Sequence, residues 1–105
     1  MLEAIDRIQS RTRLDRGRFQ DDELLQTYVV HHLEILGEAA RAVSPALREH
    51  YPDLPWRDIV GMRNVLVHEY FGVDADRVWA TVVRDLPMIR SRIEAILEDL
   101  EGSSE

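Results

Sequence analysis

The residues with the clearest chemical potential lie in one segment, residues 63–70, which reads R-N-V-L-V-H-E-Y. Arg63, His68 and Tyr70 form the pattern R-x4-H-x-Y within it. Arginine is permanently charged and presents a planar set of donors that matches a phosphate. Histidine has an ordinary pKa of about 6.5, so it can accept or donate a proton near neutral pH. This combination inside an apolar stretch predicts chemistry on a phosphate group.

A helix over residues 56–69 would place Arg63 near the centre of an apolar stripe. Burying an unpaired guanidinium is costly, so Arg63 must meet a carboxylate or line a cleft, and a cleft fits a phosphate ligand. Asn64 lies one turn before His68 and could hydrogen-bond its ring and fix its tautomer. Arg63 and His68 are about 140° apart on an ideal helix. The two side chains converge only if the length of arginine, fraying of the helix before Gly72, or a second protomer brings them together. Symmetric dimerisation would supply that second protomer.

Length and composition indicate one small globular domain. The chain has 105 residues, of which 45% are hydrophobic and 31% charged, as is typical of folded domains. We expect a single domain over residues 1–101 and a disordered tail over residues 102–105. No run of about 18 apolar residues is present, and the amino terminus lacks the basic-then-apolar layout of a signal peptide. We therefore expect a cytoplasmic protein without membrane association.

A metal site is not expected. The chain has no cysteine, which leaves histidines and carboxylates as ligands. His31, His32, Glu34 and Glu38 resemble part of a carboxylate-bridged metal bundle, but such sites need Glu-x-x-His on two helices, and the predicted fourth helix has no histidine. We interpret Glu34 and Glu38 as a solvated face, with lining a cleft beside Arg63 as the alternative. His32 is interpreted as a packed, hydrogen-bonded histidine, and no cofactor is expected.

The charges are unevenly distributed. The net charge is −7, so bulk electrostatics will not attract nucleic acid. All 13 cationic residues are arginine, which can reflect genomic base composition. Residues 7–18 nevertheless carry five arginines and one aspartate, a local charge of +4. This segment is either a phosphate-contacting surface or a solvated helix face that runs into a loop.

Helical periodicity dominates the first half of the chain. A first helix begins at Leu2, continues weakly toward Leu14 and ends at Gly17. Asp21 or Asp22 can cap a second helix. Its apolar residues recur at steps of four and three, which indicates a helix-packing stripe: Leu25, Val29, His32, Leu36, Ala39 and Val43.

The second half continues the helical pattern. Ser44 followed by Pro45 predicts a short helix to about His50, since proline is favoured at the first helical position. A third helix is predicted from about Trp56 to Glu69, and a fourth from an Asp74 cap onward. Pro87 should kink or split the fourth helix, and the two tryptophans, Trp56 and Trp79, are predicted core anchors. The expected fold class is all-α, an antiparallel four-helix bundle with a short extra helical turn.

The ordered set of motifs resembles the HEPN superfamily of α-helical ribonucleases, and within it the HepT-like toxins of toxin–antitoxin pairs. The resemblance covers nearly the whole chain and rests on these segments: 33–40 (L-E-I-L-G-E-A-A), 51–56 (Y-P-D-L-P-W), 61–73 (G-M-R-N-V-L-V-H-E-Y-F-G-V) and 85–87 (D-L-P). Family members usually carry one or two further helical turns before the segment that begins here at Met1.

The resemblance implies a homodimer in which two R-x4-H motifs face each other across a cleft and cut RNA without a metal. Arg63 and His68 match the catalytic pair, and Asn64 matches the polar residue that follows the arginine. RNA supplies its own nucleophile, the 2′-hydroxyl, so a protein need only move protons and stabilise phosphorane charge. A 2′,3′-cyclic phosphate end is the expected product, and tRNA and mRNA are candidate substrates.

Tyr70 matches the tyrosine of the toxin motif. The resemblance implies a type VII toxin–antitoxin system, in which a minimal nucleotidyltransferase antitoxin transfers AMP to this tyrosine. The added phosphodiester would occupy Arg63 and exclude RNA by charge and volume. Considered without the resemblance, Tyr70 reads as an aromatic residue packing at a helix end.

Two function classes follow from the sequence. One is a toxin ribonuclease with an adenylylating antitoxin as partner, which the intact R-x4-H-x-Y pattern favours. The other is a non-catalytic HEPN module that binds or assists a nucleotidyltransferase, which the acidic net charge favours.

Overall fold

The computed structural model describes residues 1–12, 16–62, 67–68 and 72–103, with residues 16, 17, 67, 68, 72, 73 and 103 given by their backbone alone. The helices in these ranges are α1 (Leu2–Arg11), α2 (Arg16–Asp21), α3 (Glu23–Ala42), α4 (Pro45–His50), α5 (Trp56–Val60), α6 (Ala75–Ala80) and α7 (Leu86–Ser103). A π-helical segment, Thr81–Asp85, joins α6 to α7, and the strands β1 (Val67–His68) and β2 (Gly72–Val73) pair antiparallel. The chain is therefore predominantly helical, in agreement with the predicted class.

Helix α3 is the centre of the fold. It begins at the predicted cap, Asp22, whose carboxylate accepts a hydrogen bond from the backbone N–H of Leu25 at 3.0 Å. Its buried face carries Val29, Leu33 and Leu36, each 0 or 1% exposed. Burying a side chain of this size stabilises the fold by about 1.5–3 kcal/mol. Helices α1, α2, α5 and α6 all pack against α3, so its position sets theirs.

Helix α1 lies between α3 and α7. Ile5 and Ile8 are fully buried in this contact. On the outer side, the Arg90 guanidinium of α7 donates hydrogen bonds to the Asp6 carboxylate and, at 3.1 Å, to the Gln9 side-chain oxygen. The amino-terminal helix is thus held by both apolar burial and a polar bridge.

The start of the chain differs from the prediction in one respect. Helix α1 ends at Arg11, and Thr12 closes it through both its N–H and its hydroxyl, which bond the Ile8 carbonyl at 3.1 and 2.8 Å. Gly17, predicted to end the first helix, lies inside α2. The periodic pattern did not show α2, because that helix is six residues long and is held by tertiary contact. Phe19 of α2 is 1% exposed.

Pro87 alters the fourth helix without breaking it. The residues that flank the π-helical segment, Ala80 and Leu86, keep right-handed helical dihedral angles, and the Leu86 N–H bonds the Thr81 carbonyl, five residues back. Proline lacks the N–H of a regular turn and crowds the preceding turn. The widened turn directly before Pro87 accommodates this, so the predicted interruption takes the form of a π segment. Helix α7 then runs to Ser103, past the start of the tail predicted from residue 102.

The predicted third helix is wrong at its carboxyl-terminal end. Helix α5 ends at Val60 with Gly61 as its cap, and Val67–His68 forms a strand in the register Val67 to Val73 and His68 to Gly72. Apolar residues in this segment suit a strand as well as a helix, and β-branched valine favours the strand. The pairing with residues 72–73 decides between them. The antiparallel four-helix bundle stays a prediction.

In the part of the chain that the structure describes, no helix is both long and apolar enough to cross a membrane.

Candidate active site

The R-x4-H-x-Y segment is flanked by two elements that both contact α3. Helix α5 precedes the segment and β2 follows its last residues, and each of them packs against α3. Arg63, Asn64 and Tyr70 lie outside the described residues, and His68 is described only by its backbone in β1. Helix α3 therefore contacts the described elements on both sides of the motif segment. The convergence of the four side chains stays a prediction.

A close backbone contact fixes α5 against α3. A Cβ atom added at Gly37 of α3 would lie 3.1 Å from the Ile59 carbonyl oxygen and 3.4 Å from that of Val60. Contacts at 3.1 Å are tighter than most real Cβ contacts, so a larger residue would push the two helices apart. Ile59, the buried residue of α5, is 0% exposed. Gly37 and Ile59 thus both help to place α5, which precedes the motif.

Between the two helices runs a groove of ≈ 840 Å³, which we name the α3–α5 groove. Its floor includes Gly37, Val60 and Gly61, and its α3 side carries His31, Glu34, Ile35, Glu38 and Arg41. Gly61 comes two residues before Arg63 in the sequence. Ile35 is 41% exposed within the groove. The groove is the described cleft that lies closest to the motif along the chain.

The carboxylates of this groove agree with both interpretations of the sequence. Glu38 forms an ion pair with Arg41 at 3.9 Å, and the two side chains are 76% and 72% exposed. A pair this exposed contributes at most about 1 kcal/mol. Glu38 is therefore solvated, whereas Glu34 is half-buried, and both line the α3–α5 groove. Among the described residues, no three histidine or carboxylate side chains converge as metal ligands.

His32 is packed, as predicted, although its hydrogen bonding differs. Its side chain is 7% exposed, and its ring lies 4.4 Å from that of Tyr28 and 5.3 Å from that of His31, measured between centroids. Within the described residues its Nδ1 atom has no hydrogen-bond partner. Burial, followed by the positive charges of His31 and Arg7, lowers the pKa of His32. The neutral imidazole is thus the form that this environment favours.

Sequence reasoning missed the role of Gly37. A glycine in the interior of a helix costs about 1 kcal/mol relative to alanine, so its presence in the twenty-residue α3 calls for a packing reason. The unusual helical glycine could be noticed in the sequence. Its contact with Ile59 could not, because residues 37 and 59 come together only in the folded chain.

The family model described as Ribonuclease HepT-like matches residues 1–96. The chain belongs to the HepT-like ribonuclease family. The match includes α1 to α6, the motif segment and most of α7, so the family assignment confirms the resemblance drawn from the motifs.

Individual members of the HepT-like family align with most of the chain. A Thermococcus cleftensis protein named "Probable ribonuclease HepT" is 37% identical over 97 residues, which cover 91% of this chain and 88% of that protein. Two Methanocaldococcus jannaschii proteins named as candidate RNases are also 37% identical. MJ1216 aligns over 100% of this chain and 88% of its own length, and MJ1380 over 89% and 85%. No solved structure matches the chain significantly.

Proposed function

We propose that the protein is the ribonuclease toxin of a type VII toxin–antitoxin system, a metal-independent endoribonuclease of the cytoplasm that acts as a homodimer. The observation that carries the proposal is the complete R-x4-H-x-Y pattern at residues 63–70 in a chain that the HepT-like family model matches over residues 1–96. The RNase names of its relatives support RNA as the substrate class.

In the proposed reaction the RNA 2′-hydroxyl attacks the adjacent phosphorus, and the bond to the 5′-oxygen of the next nucleotide breaks. The products are a 2′,3′-cyclic phosphate and a 5′-hydroxyl end. One proton leaves the 2′-oxygen and one reaches the departing 5′-oxygen, and His68 is assigned to this proton transfer. Arg63 stabilises the negative charge on the non-bridging oxygens, and Asn64 orients the imidazole. No metal is needed to balance these steps.

The dimer in this proposal is one way to bring Arg63 and His68 together. Arg63 and His68 are five residues apart, and β1 places the His68 backbone in an extended conformation. Two symmetric copies could pair the Arg63 of one with the His68 of the other. The exposed Ile35 in the α3–α5 groove is an apolar contact that such an interface would cover.

Tyr70 is the proposed site of silencing. A minimal nucleotidyltransferase antitoxin would transfer AMP from ATP to the phenol oxygen and release pyrophosphate. The new phosphodiester lies two residues from His68 in the sequence. It would compete with RNA for Arg63 by charge and fill the cleft by volume, so the fold need not change.

The test is cleavage of total RNA by the purified, unmodified protein in excess EDTA. Arg63→Ala and His68→Ala should each lower the rate by about 10² to 10⁴, the usual range for removing one acid–base or charge-stabilising group. Arg84→Ala is the matched control, since Arg84 is an exposed arginine of the π-helical segment, and it should cleave like the wild type.

A second arm of the same assay addresses Tyr70. Tyr70→Phe should cleave RNA normally and should stay active after treatment with the cognate nucleotidyltransferase and ATP. Equal cutting by all the variants, or no cutting by the wild type, would overturn the ribonuclease proposal and favour the non-catalytic HEPN module.

A further inference from the structure

A second groove lies on the other side of α5, and we name it the α4–α5 groove. It has a volume of ≈ 710 Å³, and its lining includes Pro45, Arg48, Pro52, Pro55, Trp56 and Arg57. Val60 lines this groove and the α3–α5 groove alike. The two grooves therefore meet at the residue that ends α5, directly before the motif segment.

Two arginines of the α4–α5 groove, Arg48 and Arg57, have no side-chain partner among the described residues. Arg48 is half-buried, and its Nε atom is enclosed without a hydrogen-bond partner among the described residues. Arg57 is exposed. In the described part of the chain, neither arginine forms an ion pair, although Glu49 and Asp58 line the same groove. A buried guanidinium nitrogen without a partner is a costly arrangement that a phosphate would relieve.

Trp56 lines the α4–α5 groove beside these arginines and is the aromatic side chain available there for stacking, the proposed platform. Its side chain is half-buried, and its indole N–H donates to the Tyr51 carbonyl at 3.0 Å. The loop that holds it is tied to α7, because the Tyr51 hydroxyl donates to the Asp99 carboxylate at 2.5 Å and Arg92 donates to the Asp53 carbonyl. The platform is therefore fixed before any ligand arrives, which lowers the entropic cost of binding.

From this arrangement we infer that the α4–α5 groove binds one unpaired nucleotide of the RNA strand that enters the active site. The inference rests on the proposed function. Each part of a nucleotide has a counterpart in the groove: Arg48 and Arg57 for the phosphate, Trp56 for stacking of the base, and Glu49 and Asp58 as acceptors for the N–H groups on the base edge. Because two arginines oppose two carboxylates, the groove favours a nucleotide over a bare anion.

The experiment measures binding of a short, single-stranded 2′-O-methyl RNA, which lacks the nucleophile and is not cleaved. Arg48→Gln and Arg57→Gln should each raise the Kd about tenfold, and the double variant should lower the salt dependence of binding by about one to one and a half in slope. Trp56→Phe, which keeps an aromatic face, should have a smaller effect. Arg84→Gln removes the same charge from an exposed site and should change the Kd less than twofold.

Two further readouts identify the occupant. AMP should compete with the RNA at lower concentration than inorganic phosphate does, and the oligomeric state by light scattering should be the same for all the variants. Equal Kd values for Arg48→Gln, Arg57→Gln and Arg84→Gln would overturn the inference, as would stronger competition by phosphate. Loss of the dimer in the groove variants would overturn it in favour of an interface between copies. Absence of cleavage by the wild type would instead refute the proposed function, because this binding assay needs no catalysis.

Discussion

The two sides of α3 are stabilised in different ways. On one side, α1 and α7 form an apolar framework with α3, in which Ile5, Ile8, Leu36 and Ile89 are 0 or 1% exposed. On the other side, α4 has no buried residue and α5 has one, Ile59. That side is held by the Gly37 contact, by the hydrogen bonds of the loop over residues 51–55 and by Leu54 of that loop, which is 2% exposed.

This difference suggests that one side of α3 mainly supplies stability and the other mainly positions the proposed catalytic residues. Apolar burial in the framework supplies most of the free energy of folding. The short elements beside the motif bury fewer side chains, and we expect their main role to be the positioning of the residues proposed to react. Substitutions in the framework should therefore change stability at constant specific activity, whereas substitutions on the motif side should do the reverse.

The largest stability effect is expected from Leu36→Ala in the framework. Leu36 is 0% exposed, and truncation of a buried leucine costs about 2–5 kcal/mol through lost transfer energy and the cavity left behind. Chemical denaturation should show this loss. RNA cleavage per folded molecule should be retained, since Leu36 lines neither the α3–α5 groove nor the α4–α5 groove.

The control for this prediction is Leu97→Ala on α7. It removes the same atoms, but Leu97 is 44% exposed, so the free energy of unfolding should change by less than about 1 kcal/mol. If the two variants lost the same stability, the framework would not be the site of the burial energy. Loss of specific activity in folded Leu36→Ala would also contradict the separation.

Sequence analysis succeeded for the elements that local patterns define, on either side of α3. The stripe of α3 and its Asp22 cap, the Ser44–Pro45 start of α4 and the Asp74 cap of α6 all depend on residues within one turn of each other. Local patterns of this kind can be recognised from the sequence, because a cap or an apolar face stabilises a helix wherever that helix lies in the fold. The predicted tryptophan anchors were correct only in part, because Trp56 and Trp79 are half-buried.

The motif side is where local patterns were insufficient. Val67 and His68 fit a helix by periodicity, but the pairing with residues 72–73 draws them into a strand. The close approach of α5 to Gly37 likewise depends on a residue far away in the sequence. The identities of the proposed catalytic residues could be read from the sequence, whereas their surroundings depended on long-range contacts.

An intermediate effect is expected from Gly37→Ala. The new Cβ atom would lie 3.1 Å from the Ile59 carbonyl oxygen, so α5 must shift by a few tenths of an ångström. The helical preference of alanine offsets part of this strain, and we expect the free energy of unfolding to change by no more than about 1 kcal/mol. A small displacement of positioned groups can still cost about tenfold in rate. The value of kcat for RNA cleavage should therefore fall by about this factor.

Gly102→Ala is the matched control, because an added Cβ there meets nothing within 4 Å. It should leave both kcat and stability nearly unchanged. Unaltered kcat in Gly37→Ala would show that the position of α5 does not control the motif. A stability loss as large as that of Leu36→Ala would show that the motif side shares the framework's role.

The smallest expected effect is a change in the pH dependence of stability caused by His32 of α3. Burial and the charges of His31 and Arg7 lower its pKa in the folded protein. The unfolded chain, with an ordinary histidine pKa of about 6.5, then binds more protons than the folded chain in the interval just below that value. The contribution of His32 to stability is thus complete above about pH 6.5 and is lost as the pH falls through this interval.

His32→Gln should therefore flatten the decline in unfolding free energy between about pH 6.5 and pH 5, above the range in which most carboxylates titrate. His50→Gln is the matched control, since His50 is exposed on α4 and is not among the groups that shift His32, and it should keep the wild-type slope. Chemical denaturation across this pH range measures both. A steeper decline of the unfolding free energy in His32→Gln than in the wild type would contradict this prediction. It would mean that folding favours the charged imidazole, and therefore that a hydrogen-bond acceptor for His32 outweighs the desolvation caused by its burial.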